Sequence, residues 1–173
     1  IINTAREMTT GNIYTVFGCT GDRDRTKRPI MTEIVTNLST QAIITIDDLH
    51  NEDANQIVSD MLEGLKNTNY EICLDREKAI EIGINHLKDN DVLLILGKGH
   101  EEFIIVKDEK IPFNDKKHVE KLLKEMVDFI SPLQKDAVAF SAVKKEDLDR
   151  AVTAAQTNLD RIKEQENLFK MQG

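Results

Sequence analysis

Three short segments concentrate the residue types that can do chemistry. The first is Gly18-Cys19-Thr20-Gly21-Asp22-Arg23-Asp24-Arg25-Thr26-Lys27-Arg28-Pro29, where Arg23, Arg25, Lys27 and Arg28 crowd together in an otherwise acidic chain. Gly18 and Gly21 permit tight turns, and Pro29 marks the start of a helix. Backbone N–H groups at a helix start, together with guanidinium forks, form a natural receptor for a carboxylate or a phosphate. A solvated loop in which Asp22 and Asp24 pair the arginines is equally compatible with the pattern. The spacing is neither G-x-x-x-x-G-K-[ST] nor G-x-G-x-x-G, so neither of those phosphate cradles is present.

The second segment, Asp47-Asp48-Leu49-His50-Asn51-Glu52-Asp53, holds Asp47, Asp48, Glu52, Asp53 and a histidine. Such a run suits a cation or an amine. It lacks the alternating oxygen ligands, central glycine and distal glutamate of a calcium loop. Asp53 is accounted for as a helix cap. The third segment is Gly97-Lys98-Gly99-His100-Glu101. Its glycines let the backbone approach a ligand closely, and Lys98, His100 and Glu101 add charge and a titratable ring. Cationic forks for a carboxylate, with carboxylates for an ammonium, complement a zwitterionic amino acid. His50, His86, His100 and His118 form no metal pattern, and no His/Cys cluster has zinc spacing. No metal site is expected.

The elements that position these segments follow from periodicity. Strands are expected at 12–18, 42–46, 70–74 and 91–96. The last is almost continuously apolar, as a strand covered on both faces would be. Between them, residues 29–38 carry Ile30, Ile34, Val35 and Leu38 on one helical face. A helix capped by Asp53 runs to about Lys66, with Ile57, Val58, Met61, Leu62 and Leu65 as its stripe. A third, capped by Asp75, buries Ala79, Ile80, Ile82 or Gly83, and Leu87. Short strands at 103–106 and 110–113 flank Lys107-Asp108-Glu109, and a helix from about Asp115 to Ile130 follows. Strand–helix–strand repetition predicts an α/β fold with a Rossmann-like, doubly wound, mostly parallel sheet and a short terminal hairpin. Crossovers should be right-handed and ligands should meet the loops at the carboxyl ends of the strands. All three chemical segments directly follow a strand.

Beyond Pro132 the pattern changes. Residues 133–143 show no period, and 145–171 read as one long helix. Leu148, Val152, Ala155, Leu159, Ile162, Glu166 and Phe169 recur at steps of four and three, a seam with one glutamate in it. The expected organisation is a domain over 1–127 and a helical extension over 128–173. The long helix either docks on its own domain or on a partner helix, or serves in oligomerisation or tethering.

Composition sets the outer bounds. With 173 residues, one domain with an appendage is expected, enough to bury a core without staples. A net charge of −8 argues against broad nucleic-acid binding, which runs on phosphate neutralisation. No run approaches a membrane span of about 20 apolar residues, and no signal peptide is visible. Cys19 and Cys73 have no CxxC partner, which suits a reducing, cytoplasmic setting. The first residue is Ile1 and not Met, as in a piece of a longer protein.

Four motifs in fixed order then carry a resemblance. They are Thr15 through Pro29, Asp75-Arg76 with Ala79-Ile80, Gly97 through Glu101, and Lys110-Ile111-Pro112-Phe113. Over roughly residues 1–125 the chain resembles the C-terminal domain of the Mur ligases, closest to the members that add the third residue of the peptidoglycan stem peptide. The resemblance implies that ATP phosphorylates the D-glutamate carboxyl of a UDP-linked muramoyl dipeptide. The amino group of an incoming amino acid then attacks the acyl phosphate, giving an amide, ADP and phosphate. This lobe would contribute positioning and electrostatics, with no catalytic residue of its own. Carried over by motif, Arg23 meets a substrate carboxylate, and Asp47, Asp48, Leu49 and His50 occupy the family's Asp-Asn-Pro-Arg specificity loop. Gly97 and Glu101 hold the amino acid's distal end, while Asp22, Lys27 and Arg28 lie nearer the nucleotide.

Two departures from the family pattern shape the expectations. Asp48 and His50 stand where diaminopimelate-using members have Asn and Arg, and an imidazole is a poor substitute for a guanidinium fork. Lysine, or another residue without a distal carboxylate, is therefore expected in preference to meso-diaminopimelate. The chain also lacks the family's uridine-nucleotide domain and central ATPase domain. ATP and Mg²⁺ belong to the full-length family, and no cofactor and no ligase turnover are expected of this chain alone. The alternative is a non-catalytic scaffold or interaction module that acts through the 145–171 helix.

Overall fold

The computed structural model describes residues 1–135 and 149–160. The elements in chain order are α1 (Ile2–Met8), β1 (Ile13–Cys19), α2 (Lys27–Leu38), β2 (Gln41–Ile46), α3 (Ala54–Leu62) and β3 (Tyr70–Ile72). They continue with α4 (Arg76–His86), β4 (Val92–Leu96), β5 (Phe103–Val106), β6 (Glu109–Pro112) and α5 (Asp115–Lys135). The chain divides into two compact units, with the break after Asp115. The sequence boundary at 127/128 marks where the family resemblance gives out, which is a different property.

In the first unit, four parallel strands lie in the order β3-β2-β1-β4, and β5 and β6 form a separate antiparallel pair. Strand order reverses between β1 and β4, so their carboxyl ends flank the switch point where doubly wound sheets bind ligands. The register brings three strand ends level: Cys19 pairs with Ile46, and Phe17 with Leu96. The segments after β1, β2 and β4 therefore leave the sheet at one edge.

Alternation along the strands sends side chains to two cores. Ile13, Phe17, Cys19, Ala42 and Ile44 pack with Val35 of α2, with Ile57, Val58 and Met61 of α3, and with Ile2 and Ala5 of α1. On the opposite face, Gly83 of α4 lies against Val16 and Leu93. Ile13, Val16, Ile43, Ile44, Ile57, Met61 and Ile80 are fully buried. Each such side chain contributes on the order of 2 kcal/mol through loss of apolar surface to water. Asp53 caps α3 by accepting from the backbone N–H groups of Asn55 and Gln56, and Asp75 caps α4 by accepting from that of Lys78. Each cap is worth about 1 kcal/mol.

Several elements differ from the sequence expectations. Residues Ile30, Ile34 and Leu38 do not form the buried face of α2; they are exposed, and Arg28, Thr32, Val35 and Thr36 face inward. The hydroxyls of Thr32 and Thr36 donate to the carbonyls of Arg28 and Thr32, four residues earlier, which satisfies them inside the core. Arg28 turns inward because carboxylates wait there, as described below. Helix α3 stops at Leu62 and not near Lys66, since Gly64 adopts φ 71°. Strand β4 lies at the edge of the four-stranded sheet and every residue in it is half-buried, so its apolar run does not reflect full cover on both faces. Helix α1, packed through Ile2 and Ala5, has no counterpart in the sequence reading.

In the second unit, α5 continues from Lys116, and residues 149–160 are helical, inside the expected 145–171 span. Of the seam positions, Ala155 is buried and Val152 and Leu159 are half-buried. Leu148, Ile162, Glu166, Phe169 and the aperiodic stretch from 136 lie outside the described residues. Among those described, no helix is long and apolar enough to cross a membrane.

Candidate functional site

The three chemical segments and the β5–β6 pair interlock at the carboxyl edge of the sheet. Gly21 donates its N–H to the carbonyl of Asp48 at 2.7 Å. A side chain at Gly21 would strike the Leu49 carbonyl, so only glycine lets these two segments meet. Leu49 and His50 donate to the Ile105 carbonyl at 2.8 and 3.2 Å, and Lys107 donates to the His50 carbonyl at 2.6 Å. The N–H of Ile105 returns to Asp48 Oδ1 at 2.8 Å. His50 holds a left-handed φ of 48°, which brings residues 48–50 alongside β5 as an extra bridge to Val106.

Between these segments lies a cleft of about 500 Å³, within the range of small-ligand sites. Arg23, Asp48, His50 and Glu101 line it from the strand-end loops, and Phe103 and Lys110 from the β-pair. Lys110 Nζ sits 5.1 Å from the centre of the Phe103 ring, close enough for a cation–π contact. Thr20, His100, Glu102 and Ile105 complete the wall. The lining thus mixes two cations with three carboxylates.

Behind the cleft, Lys98 is a buried ammonium. Its Nζ lies 2.7 Å from Asp48 Oδ1, 2.7 Å from Glu101 Oε2 and 3.6 Å from Asp47 Oδ1. Burial is the largest influence on Lys98 and pulls its pKa down; hydrogen bonds to Asp48 and Glu101 and the charge of Asp47 outweigh it and hold the pKa above the ordinary value. Asp47 is shifted up, chiefly by burial, although Arg76 and Lys98 pull the other way. Its Oδ1 accepts no hydrogen bond, and its Oδ2 fills the space where a side chain on Gly97 would stand.

The first segment separates into an inner and an outer part. Arg28 is buried: NH1 donates to Glu52 Oε2 at 2.8 Å and Asp60 Oδ2 at 2.7 Å, and NH2 donates to Glu52 Oε1 at 2.8 Å and the Thr20 carbonyl at 3.2 Å. Arg25 adds a second fork on Asp60, at 2.7 and 3.1 Å. Asp22, with φ 53°, donates its N–H to Glu52 Oε1 and accepts from the Asn51 amide. Lys27 is exposed, with Asp24 at 3.9 Å. Arg23 points to the cleft while Arg28 braces the loop that carries Arg23. Arg25 and Arg28 pair with Glu52 and Asp60, and not with Asp22 and Asp24.

A further brace lies beneath. Arg76 binds Asp115 through two hydrogen bonds of 2.8 Å and reaches the carbonyls of Ile46 and Leu96 at 3.4 and 3.1 Å, tying the ends of β2 and β4 together. Sequence reasoning placed Arg23, Asp48, His50 and Glu101 where they share one cleft. Asp47 and Leu49 stand just behind it, and Gly97 in the adjoining turn. It missed Lys110 and Phe103 as lining and gave no role to Asp60 or Asp115, and Glu52, read with the acidic segment as suited to a cation or an amine, instead pairs with Arg28. The available signal for Arg76 was its place in a family-like motif.

Residues 1–99 match the family described as Mur ligase, glutamate ligase domain. The chain belongs to that family. This Mur ligase domain is 48% identical over 126 residues to the UDP-N-acetylmuramoyl-L-alanyl-D-glutamate–2,6-diaminopimelate ligase of Clostridium botulinum, covering 73% of the chain and 26% of that protein. The ligase of the same name from Bacillus cereus is 42% identical over 116 residues, covering 67% of the chain and 24% of the relative. A solved structure of a 2,6-diaminopimelate ligase superposes with a TM-score of 0.67 at 30% identity, covering 72% of this chain and 26% of that one. The chain spans about a quarter of the length of the curated relatives it matches. Among its described residues, no group of three or more histidine, cysteine or carboxylate side chains is arranged to hold a metal ion.

Proposed function

We propose that this Mur ligase domain holds the incoming amino acid for a cytoplasmic ligase that extends UDP-N-acetylmuramoyl-L-alanyl-D-glutamate. The observation that carries the reading is the shared cleft of Arg23, Asp48 and Glu101. Arg23 offers a guanidinium fork to a carboxylate of the amino acid. Glu101, half-exposed and fixed at one oxygen by Lys98, offers its carboxylate to an ammonium, and Gly97 offers backbone. Held at both ends, the amino acid presents its amine in one orientation, which is the entropic part of the catalysis. ATP, held with Mg²⁺ by the ligase's ATPase domain, would transfer its γ-phosphoryl group to the D-glutamate carboxylate with ADP leaving, and phosphate would leave as the amine forms the amide. For the nucleotide, Lys27 and Asp22 are exposed at the loop surface, whereas the terminal nitrogens of Arg28 are engaged with Glu52, Asp60 and Thr20. Arg28 thus supports the nucleotide side indirectly.

The preferred amino acid is lysine, or one like it without a distal carboxylate. Asp48 and His50 both line the cleft, where the family's Asp-Asn-Pro-Arg pattern has a neutral amide and an arginine. An aspartate repels a second carboxylate, and an imidazole lacks the bidentate grip. Calorimetric titration of the chain with L-lysine and with meso-diaminopimelate tests both statements. Binding of L-lysine that Arg23→Ala abolishes supports the reading. Tighter binding of meso-diaminopimelate overturns the preference, and unaltered binding by Arg23→Ala overturns the site.

A further inference from the structure

We propose that Lys98, which cannot touch a ligand, is the positioning residue that sets both carboxylates of the cleft; the proposal rests on the amino-acid reading above. The side chain of Lys98 is fully buried, while Gly97 and Gly99 on either side of it are exposed. Both glycines hold positive φ, 118° and 54°, values that side chains rarely adopt. The Gly-Lys-Gly run is therefore a device for turning one lysine inward. Its ammonium has three protons to give, and three carboxylates surround it: Asp48 and Glu101 at 2.7 Å and Asp47 at 3.6 Å.

Each partner leads to a different part of the cleft. Asp48 Oδ1 accepts from Lys98 and from the N–H of Ile105, so the ammonium fixes the 47–50 segment against β5. Glu101 Oε2 accepts from Lys98, while its side chain stays half-exposed in the cleft wall. Without the ammonium, Asp47, Asp48 and Glu101 would gather around uncompensated charge in a largely buried space, where like charges repel strongly. The carboxylates would swing apart, and Asp48 would release Ile105. Lys98 thereby connects the specificity segment, the glycine turn and the β-pair through one atom.

The test is Lys98→Met, with Lys98→Arg as the conservative variant, read by amide hydrogen exchange and by titration with L-lysine. Lys98→Met is expected to lose about tenfold or more in protection at Leu49, His50 and Ile105, and about tenfold or more in affinity for L-lysine. Amides of the central strands, such as Val16 and Ile43, keep their protection. Lys98→Arg recovers part of both losses. Unchanged protection at the three loop amides overturns the assignment, as does an equal loss across the central strands, which would mean a general structural role. Should Lys98→Met fail to fold, Lys98→Gln, which keeps an N–H donor without the charge, is read the same way. If the wild-type chain binds neither L-lysine nor meso-diaminopimelate, the amino-acid reading fails, and the exchange data still decide whether Lys98 fixes the loops.

Discussion

Arg28 and Glu52 are joined by two parallel N–H···O bonds of 2.8 Å, one from each terminal nitrogen of the guanidinium, with the arginine side chain 1% exposed. The pair links the start of α2 to the loop after β2, and Asp60 of α3 completes the cluster at 2.7 Å. It explains why α2 turns a charged residue and two threonines inward while Ile30 and Ile34 face water.

Removing the arginine takes away the buried cation that Glu52 and Asp60 share, leaving Asp60 with Arg25 and Gln56 and Glu52 with the Asp22 N–H. Arg28→Met is expected to destabilise the chain by about 3 kcal/mol, the lower end for a broken buried pair, because Glu52 and Asp60 keep some contact with water. Urea denaturation measures it. A loss under about 1 kcal/mol would show that the cluster contributes packing alone.

The same cluster dictates an acid limb. Hydrogen bonding from Arg25 is the largest cause that lowers Asp60, to about 2, with Gln56 and Arg28 adding to it. Hydrogen bonding from Arg28 similarly lowers Glu52. Carboxylates with depressed folded pKa values contribute stability above their unfolded pKa, and that contribution is lost as pH falls through the folded value. Stability should therefore drop as pH is lowered from about 4 toward 2. Asp47, raised by burial, acts in the opposite sense and loses stability as pH rises through the ordinary carboxylate value. Comparing wild type with Asp60→Asn isolates the first effect. The variant should be less stable at neutral pH and show a shallower acid decline, followed by thermal denaturation across pH. Parallel curves for the two proteins would contradict it.

The two free cysteines should differ in reactivity. Burial pushes Cys19 up to about 12, so almost no thiolate exists near neutrality to attack a disulfide reagent. Cys73 is half-buried, with its thiol donating to the Asp75 carbonyl at 3.3 Å. An aromatic disulfide reagent at mildly alkaline pH should modify Cys73 first, and Cys19 only after denaturation. Mass mapping that finds Cys19 modified in the native chain would contradict this burial.

Much of this architecture was legible because strand and helix periods are local. Runs rich in β-branched and other apolar residues marked the β1, β2 and β4 strands, and Asp53 and Asp75 announced their helices through capping chemistry that needs only neighbouring residues. The placement of chemistry after strands followed from topology alone. What stayed hidden depends on partners distant in the chain. Glu52 and Asp60 reach Arg28 across more than twenty residues, so no window of sequence shows that α2 buries the arginine and exposes Ile30, Ile34 and Leu38. Lys98 was visible as a charge between glycines, but its inward direction is set by two positive φ values and by Asp48, fifty residues away. Lys110 and Phe103 join the cleft because His50 pairs with β5, a contact that no periodicity encodes.

The central claim is that one cleft at the sheet edge receives a free amino acid between Arg23 and Glu101. The most direct measurement is amide chemical-shift mapping of the isotopically labelled chain during titration with L-lysine. Saturable shifts should cluster at residues 20–23, 48–50 and 97–105 and vanish in Arg23→Ala, with α1 and the β3 edge unmoved. Shifts scattered over the surface, or clustered away from those three segments, would contradict it.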